Sequence, residues 1–175
     1  MAGMKGKQSV RDMVLSLGLI LLAAGVVYLF VPHDDTVPEP KRVDYRVELL
    51  TARRAAPYPV AAPEALSDGW TATSVRYTAD HAHWHLGFAD PDGGYAAVEQ
   101  STRKPSEFVE SATQGASKAG TERVAGQDWD RYEGDRYDAL VLKEQGVTTV
   151  VTGSAGMEDL TVLAEALRTE EKPAE

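Results

Sequence analysis

The sequence predicts an α+β domain that follows an N-terminal transmembrane helix. Three patterns predict it: an uncharged apolar run near the N-terminus, two groups of strands with a period of two, and a stretch of helical spacing after each group. Strands joined by short turns pair in antiparallel order, and amphipathic helices bury one stripe against a sheet. We therefore expect a mostly antiparallel, twisted sheet covered on one face by two helices.

The apolar run covers residues 13–31, "MVLSLGLILLAAGVVYLFV", which are 19 residues without a charged side chain. As a helix it would be about 28 Å long, close to the roughly 30 Å thickness of a hydrocarbon core. We therefore predict a single transmembrane helix over residues 13–31 that binds the lipid bilayer. A signal peptide cleaved near Ala23 and Gly25 is the weaker alternative, because apolar residues continue well beyond that point.

The charges on either side of this run predict its orientation. Residues 1–12 carry three basic side chains against one acidic side chain, so they form a basic N-terminus. Residues 32–175 hold 15 basic and 26 acidic side chains, a net charge of −11. By the positive-inside rule, the N-terminus is cytoplasmic and the C-terminal domain lies outside the plasma membrane. Such an acidic domain repels a phosphate backbone, so we expect no nucleic-acid partner.

The outer part begins with a predicted tether and a first predicted strand. Residues 32–42 are rich in proline and acidic side chains, which is typical of an extended linker. Residues 43–168 form the predicted domain, and residues 169–175 form a predicted flexible tail. Apolar residues alternate in "VDYRVELL", residues 43–50, which predicts a strand. Three prolines between residues 57 and 63 then interrupt regular structure.

Two groups of strands, each followed by a helix, make up the rest of the domain. Alternation predicts strands in "WTATSVRYT", "HWHLGF" and "YAAVEQST", with "ADPDGG" as a hairpin turn. After Pro105 the apolar spacing becomes helical. Strands are predicted again in "GQDWDRY" and in the two halves of "DALVLKEQGVTTVVTG". The last helix, in "MEDLTVLAEALR", has an apolar stripe formed by Met157, Leu160, Leu163, Ala164 and Leu167.

Three of the four histidines stand at alternate positions in "DHAHWHLGF": His81, His83 and His85. In a strand they would share one face, while Trp84 would point to the opposite one. We interpret the histidine row as the solvent-exposed face of a strand whose other face is buried. The alternative is a zinc site, because a His-x-His pair can chelate the ion if a neighbouring strand adds a ligand such as Glu99. A third interpretation is a pH-sensing role.

The segment "DWDRYEGDRYD" combines five acidic residues, two arginines, Trp129 and two tyrosines. Aromatic rings beside charges can form a platform for a carbohydrate or a peptide. Cross-strand ion pairs, with the rings directed towards the core, account for the pattern more simply. We therefore assign no site to this segment from the sequence.

Six segments, in this order, carry a resemblance to a known family: "SVRDMVLSL", "GWTATSVRY", "HWHLGF", "YAAVEQS", "GQDWDRY" and "TTVVTGSAGMEDLTVLAEAL". Together they span nearly the whole chain. The sequence resembles an uncharacterised actinobacterial family of single-pass membrane-anchored proteins that share a domain of unknown function. The resemblance implies the topology and the location argued above, and it implies no catalytic residues.

These features predict a non-enzymatic interaction or sensing module at the cell envelope, with an envelope protein as its partner and no cofactor. The chain has no cysteine, which excludes disulfides, thiolate metal sites and a cysteine nucleophile. It also contains no G-x-S-x-G elbow and no P-loop. The alternative function is a metal-assisted hydrolase that uses zinc held by the strand of His81, His83 and His85.

Overall fold

The structure is a computed structural model that describes residues 5–30 and 41–170. The chain divides into two compact units, residues 1–39 and residues 40–175, and each is described by itself. The described part of the first unit is helix α1 (Lys5–Phe30). This helix is long and apolar enough to cross a membrane over Val10–Tyr28.

The side chains of α1 are exposed throughout Val10–Tyr28. A core helix of a soluble protein would bury at least one apolar stripe, and α1 buries none in the described part of the chain. The predicted apolar N-terminal helix is therefore present, and it begins at Lys5, earlier than the predicted span of residues 13–31. Val31, most of the predicted tether and residues 171–175 of the predicted tail lie outside the described residues.

The described part of the second unit contains three helices and nine strands. In chain order they are α2 (Arg46–Ala55), β1 (Ala61–Pro63), β2 (Thr71–Thr78), β3 (His83–Ala89), β4 (Tyr95–Ser101), α3 (Pro105–Thr113), β5 (Ser117–Val124), β6 (Gln127–Glu133), β7 (Asp138–Glu144), β8 (Val147–Gly153), α4 (Met157–Ala166) and β9 (Leu167–Thr169). A short 3-10 turn, Asp80–Ala82, precedes β3.

Seven of these strands form one sheet in the order β2-β3-β4-β8-β7-β6-β5, and every neighbouring pair is antiparallel. The remaining two strands, β1 and β9, pair with each other. The α+β fold with an antiparallel sheet, which the sequence predicts, is confirmed. The hairpin between β3 and β4 fixes a register in which Leu86 lies opposite Val98 and His85 lies opposite Glu99.

Alternate residues divide the sheet into two faces with different covers. We call them the Trp84 face and the Glu99 face. Helices α2 and α4 pack on the Trp84 face, and α3 packs on the Glu99 face. The Trp84 face includes Trp84, Leu86, Val98, Leu140 and Val151, whereas the Glu99 face includes His83, His85, Glu99, Val141 and Val150.

Two helices cover one face of the sheet, as predicted. The sequence indicated α3 and α4 for this role, and only α4 is on that face. The partner of α4 on the Trp84 face is α2. Helix α3 lies on the opposite face, where Phe108 and Val109 contact Val141 and Val150. Because β4 and β8 are neighbours in the sheet, the chain that leaves β4 can cross either face, and the strand pattern does not decide which.

The segment predicted as the first strand forms the beginning of α2 and the residues before it. Tyr45, Leu49 and Ala52 are spaced by four and three residues, and all three pack into the core of the Trp84 face. Val47, which a strand would place beside Tyr45 and Leu49, is 70% exposed. The prediction of a strand was therefore wrong. Over only eight residues an alternating pattern and a helical stripe share several positions, so the pattern does not distinguish a strand from a helix.

The C-terminal end also differs from the prediction. Helix α4 ends at Ala166, and Leu167 begins β9, which pairs with β1. Strand β1 is the end of the proline-rich segment, whose Tyr58 and Val60 are buried in the core. The prolines therefore interrupt regular structure as predicted, while the segment itself closes one end of the Trp84 face.

Candidate functional site

The three histidines do not form one row. Strand β3 begins at His83, and His81 lies in the preceding 3-10 turn with a φ of 52°. The His81 carbonyl accepts hydrogen bonds from Ser101 and Thr102, which holds this turn against the end of β4. The His81 side chain is half exposed and lies 3.6 Å from Asp80. The predicted face shared by His81, His83 and His85 is therefore wrong for His81.

His83 and His85 lie on one face of β3 as predicted, and they converge on a single carboxylate. His83 Nε2 lies 2.7 Å from Glu99 Oε2, and His85 Nδ1 lies 2.7 Å from Glu99 Oε1. The Glu99 side chain is 14% exposed, and that of His85 is 18% exposed. The His83 ring packs edge-on against Phe108 of α3, with 5.6 Å between the ring centres. The histidine face is therefore a partly buried polar cluster rather than an open solvent face.

The charge of Glu99 is maintained by its two histidine partners. Burial acts to raise the pKa of Glu99, but the hydrogen bonds from His83 and His85 outweigh it and hold the pKa below its usual value. Each carboxylate oxygen thus accepts a hydrogen bond from an imidazole N–H. A buried carboxylate without such donors would be costly, so the three side chains stabilise one another.

Ser74 and Tyr95 extend this cluster, and sequence reasoning missed both. Ser74 lies on β2 just after a register shift, and its Oγ is 2.8 Å from His85 Nε2. Ser74 Oγ and the Tyr95 hydroxyl both lie close to Gly87, and burial raises the pKa of Tyr95 to about 12. Gly87 makes the arrangement possible, because a Cβ at this position would collide with Ser74 Oγ. The sequence signal was a glycine inside a strand, which often marks a close approach of other atoms.

A cavity of about 360 Å³ adjoins the cluster between α3 and the Glu99 face. Aromatic and basic side chains form much of its wall. The rings of Tyr95 and Tyr137 are 6.0 Å apart, and the Arg136 guanidinium lies 5.6 Å from the Tyr137 ring centre. The Arg103 guanidinium makes no ion pair within residues 41–170. The wall includes His83, Tyr95, Glu99, Arg103, Phe108 and Tyr137.

A metal ion at this cluster would have to be held by His83, His85 and Glu99, the histidine and carboxylate side chains that meet there. Within the described ranges, no three histidine, aspartate or glutamate side chains are grouped so as to hold a metal ion. Both oxygens of Glu99 already accept imidazole hydrogen bonds. The prediction that no zinc binds here stays a prediction, which a measurement of zinc content can test.

The aromatic and acidic segment on β6 and the turn after it follows the simpler interpretation at Asp130 and Trp129, whereas Tyr137 lines the cavity. Asp130 lies between two lysines from neighbouring strands, 2.7 Å from Lys118 and 3.0 Å from Lys143. The hydrogen bond from Lys118 is the main reason that the pKa of Asp130 lies below its usual value. Trp129 is 3% exposed and belongs to the core of the Trp84 face.

Comparison with known families identifies the chain. The family model described as a protein of unknown function (DUF4245) matches residues 5–167. The match covers most of the chain, so the chain belongs to this family, and the resemblance to a domain of unknown function is confirmed. A search of the curated proteins finds no match.

Proposed function

We propose that this DUF4245 protein is a non-enzymatic interaction and sensing module, tethered to the plasma membrane by α1 with its folded domain outside the cytoplasm. Three features support the tether: the apolar surface of α1 is exposed, its apolar span is long enough for a bilayer, and the basic residues Lys5, Lys7 and Arg11 lie at the N-terminal end of α1. An envelope protein is the proposed partner of the folded domain.

The topology can be tested directly. Protease added to spheroplasts should degrade the folded domain and leave a short membrane-bound fragment that contains α1. A reporter fused after Glu175 that is active only outside the cytoplasm should be active. A domain that stays protected until the cells are lysed would contradict the orientation, and a soluble chain that begins after residue 25 would show cleavage instead.

The observation that carries the proposed function is the buried Glu99 carboxylate beside the cavity on the Glu99 face. Its two partners are imidazoles, the side chains that ordinarily change charge between pH 5 and 8. The charged and titratable groups near the cluster include Arg76, opposite His85 on β2, and Tyr95, Arg103 and Tyr137 in the cavity wall.

The cavity wall also has the composition of a protein contact site. Tyrosine and arginine are enriched among the side chains that dominate binding energies at interfaces. Tyr95, Tyr137 and Arg103 line the cavity on the Glu99 face, and Arg136 lies over the Tyr137 ring. A partner segment that enters this cavity would meet aromatic rings and the positive charge of Arg103.

A photo-crosslinking amino acid introduced in the full-length protein in cells tests this function. Gln114 is exposed at the rim of the cavity, and Val162, exposed on α4, gives a matched position on the Trp84 side. We expect a discrete crosslinked partner from position 114 and none from position 162. Equal crosslinking at both positions, or none at position 114, would contradict a partner at the Glu99 face.

A second candidate function is that of a serine hydrolase, and one observation favours it. Ser74 Oγ, the His85 ring and the Glu99 carboxylate are hydrogen-bonded in the order nucleophile, base and orienting acid. Ser74 would attack an ester carbonyl, His85 would pass the serine proton to the leaving alcohol, and water would release the acyl group. This function ranks second because Ser74 is not among the residues that line the adjacent cavity.

A fluorophosphonate probe separates the two candidates. A hydrolase would be labelled at Ser74, and the label would be lost in Ser74→Ala and reduced in His85→Leu. Ser111→Ala is the control, because Ser111 lines the cavity on α3 and lies outside the hydrogen-bonded cluster. An unlabelled wild-type protein would exclude the hydrolase and leave the interaction module.

A further inference from the structure

Helix α2 carries the most exposed apolar side chains of the folded domain. Among the large apolar side chains of residues 41–170, Val47 at 70% and Leu50 at 53% are the most exposed. They are three residues apart, so they share one side of the helix, and the completely buried Ala52 lies on the opposite side. Thr51 lies beside them, because its hydroxyl bonds the Val47 carbonyl one turn earlier. The outer side of α2 is therefore a small apolar surface open to solvent.

Basic side chains surround this apolar surface. Residues 41–55 hold five basic and two acidic side chains, whereas the rest of residues 32–175 holds 10 basic and 24 acidic ones. The exposed basic side chains here are Lys41, Arg42, Arg46 and Arg54. None of these four makes an ion pair within the described part of the chain. We call these four residues, together with Val47 and Leu50, the α2 patch.

The other charged side chains near α2 leave the patch uninterrupted. Arg53 pairs with Glu170 at 2.7 Å. The Asp44 carboxylate accepts a hydrogen bond from the backbone N–H of Arg46, at the start of the helix. Glu48 lies on the flank of α2, because it is two residues before Leu50 and so points away from it. The patch therefore presents apolar groups and unpaired positive charge together.

This combination matches the surface of an anionic lipid bilayer. Helices that lie in a membrane interface bury apolar side chains among the lipids and place Lys and Arg at the headgroups. The rest of the domain is acidic and would be repelled by such a surface, so the charge distribution favours an approach through α2. Ten residues of chain separate Phe30, the end of α1, from Lys41. At full extension ten residues reach about 36 Å, so the patch stays within a short distance of a bilayer that holds α1.

We propose that the α2 patch docks the folded domain on the surface of the bilayer that holds α1. The four basic side chains bind the phosphates of anionic phospholipids, while Val47 and Leu50 enter the boundary between headgroups and acyl chains. The proposal rests on the proposed tether, and it does not depend on the side of the membrane on which the domain lies. Because α2 packs on the Trp84 face, docking leaves the cavity of the Glu99 face directed away from the lipid and open to a partner.

Electron paramagnetic resonance of the full-length protein in vesicles tests the docking. The chain has no cysteine, so a nitroxide can be attached to a single cysteine. Thr51→Cys places the label beside the patch, Leu19→Cys places it in α1, and Ser106→Cys places it at an exposed position of α3. Access of oxygen, which dissolves in lipid, is compared with access of a water-soluble nickel complex. The vesicles contain phosphatidylcholine alone or phosphatidylcholine with phosphatidylglycerol.

We expect the label at position 51 to contact lipid in the anionic vesicles and water in the neutral ones. The label at position 19 should contact lipid in both, and the label at position 106 should contact water in both. High salt should release position 51 in the anionic vesicles, because salt screens the attraction between exposed charges. This measurement needs no further substitution in the patch.

Charge variants of the Thr51→Cys protein then test the basic residues. Arg46→Gln/Arg54→Gln should lower the equilibrium constant for docking about 30-fold, because each Lys or Arg near an anionic surface contributes roughly a fivefold factor. Lys104→Gln/Arg123→Gln is the matched control, because it removes the same charge from exposed ion pairs elsewhere, and it should leave position 51 in lipid.

The three labels separate failure of the docking from failure of the tether. Water contact at position 51 in anionic vesicles, with position 19 in lipid, would overturn the docking and leave the tether. Water contact at both positions would overturn both, and lipid contact at position 51 alone would support the docking and contradict the tether. Equal lipid contact in neutral vesicles, or lipid contact at position 106, would overturn the recognition of anionic lipid by the α2 patch.

Discussion

The two faces of the sheet are built from alternate residues of the same strands, yet they differ in cover and polarity. On the Trp84 face, Trp84, Leu86 and Val98 are completely buried. On the Glu99 face, their neighbours His85 and Glu99 keep 18% and 14% of their side chains exposed. The strands are shared, so the difference arises from what packs on each face.

The cover differs because the helices differ in number and position. The Trp84 face is closed by α2, α4 and the proline segment, which share one core. The Glu99 face has only α3 among the described helices, and its nine residues span about 13 Å. Helix α3 packs over Val141 and Val150, and the area that it covers ends near His83. Polar side chains are tolerated where the cover stops, and there they pair with one another.

The largest effect is expected from Trp84→Ala on the fully covered face. Trp84 is 0% exposed, and its loss leaves a cavity and removes the hydrogen bond to Ala61. We expect a loss of about 3–5 kcal/mol in the free energy of unfolding, measured by urea denaturation. Val162→Ala on the exposed side of α4 is the control, with a change within about 0.5 kcal/mol. A loss below about 1 kcal/mol for Trp84→Ala would contradict the assigned core.

A smaller but clear effect is expected on the partly covered face. The double variant His83→Leu/His85→Leu removes both donors to Glu99 and leaves a buried carboxylate unpaired, at a cost of about 1–3 kcal/mol. Adding Glu99→Leu should recover much of this loss, because removing all the polar partners is nearly neutral. If the triple variant is as unstable as the double variant, the cluster does not act as a paired unit.

Acid should lower the stability of the folded protein by protonating Glu99. The pKa of Glu99 is lower in the folded protein than its ordinary value of 4.5. The carboxylate therefore contributes stability that is fully present above pH 4.5 and is lost as the pH falls through the folded-state pKa. Melting temperatures measured across this range should fall less in Glu99→Gln than in the wild type. Asp130→Asn is the matched variant for this comparison of melting temperatures. The pKa of Asp130 is also below its ordinary value, mainly because of the hydrogen bond from Lys118.

The smallest effect is expected at His81, which lies outside both faces. Its structural contacts come from the backbone carbonyl, so His81→Gln should change stability by less than about 0.5 kcal/mol. We also expect background zinc content in the purified full-length protein, and no effect of EDTA on its melting temperature. Stoichiometric zinc that is lost in His83→Leu/His85→Leu would show that the Glu99 face is a metal site after all.

Much of the fold follows from local patterns in the sequence. Six strands (β2, β3, β4, β6, β7 and β8), the hairpin at "ADPDGG" and the last helix up to Ala166 were predicted where they occur, because each repeats a period over enough residues. The edge strand β5 and the short strand β9 were not predicted. The first eight residues of the domain were too few to separate a strand from the helix α2. The sequence analysis named Glu99 only as an example of a third zinc ligand beside His83 and His85; the hairpin brings it opposite His85.

The sequence by itself determined an apolar N-terminal helix, an antiparallel sheet and a Trp84 face opposite a histidine face, since these depend on the period and polarity of neighbouring residues. The tertiary structure alone decided that His81 leaves the row, that Ser74 approaches His85 across Gly87, and that α3 covers one face while α2 joins α4 on the other. Those outcomes depend on contacts between residues distant in the chain, which no local period records. The Glu99 cluster is a product of those contacts.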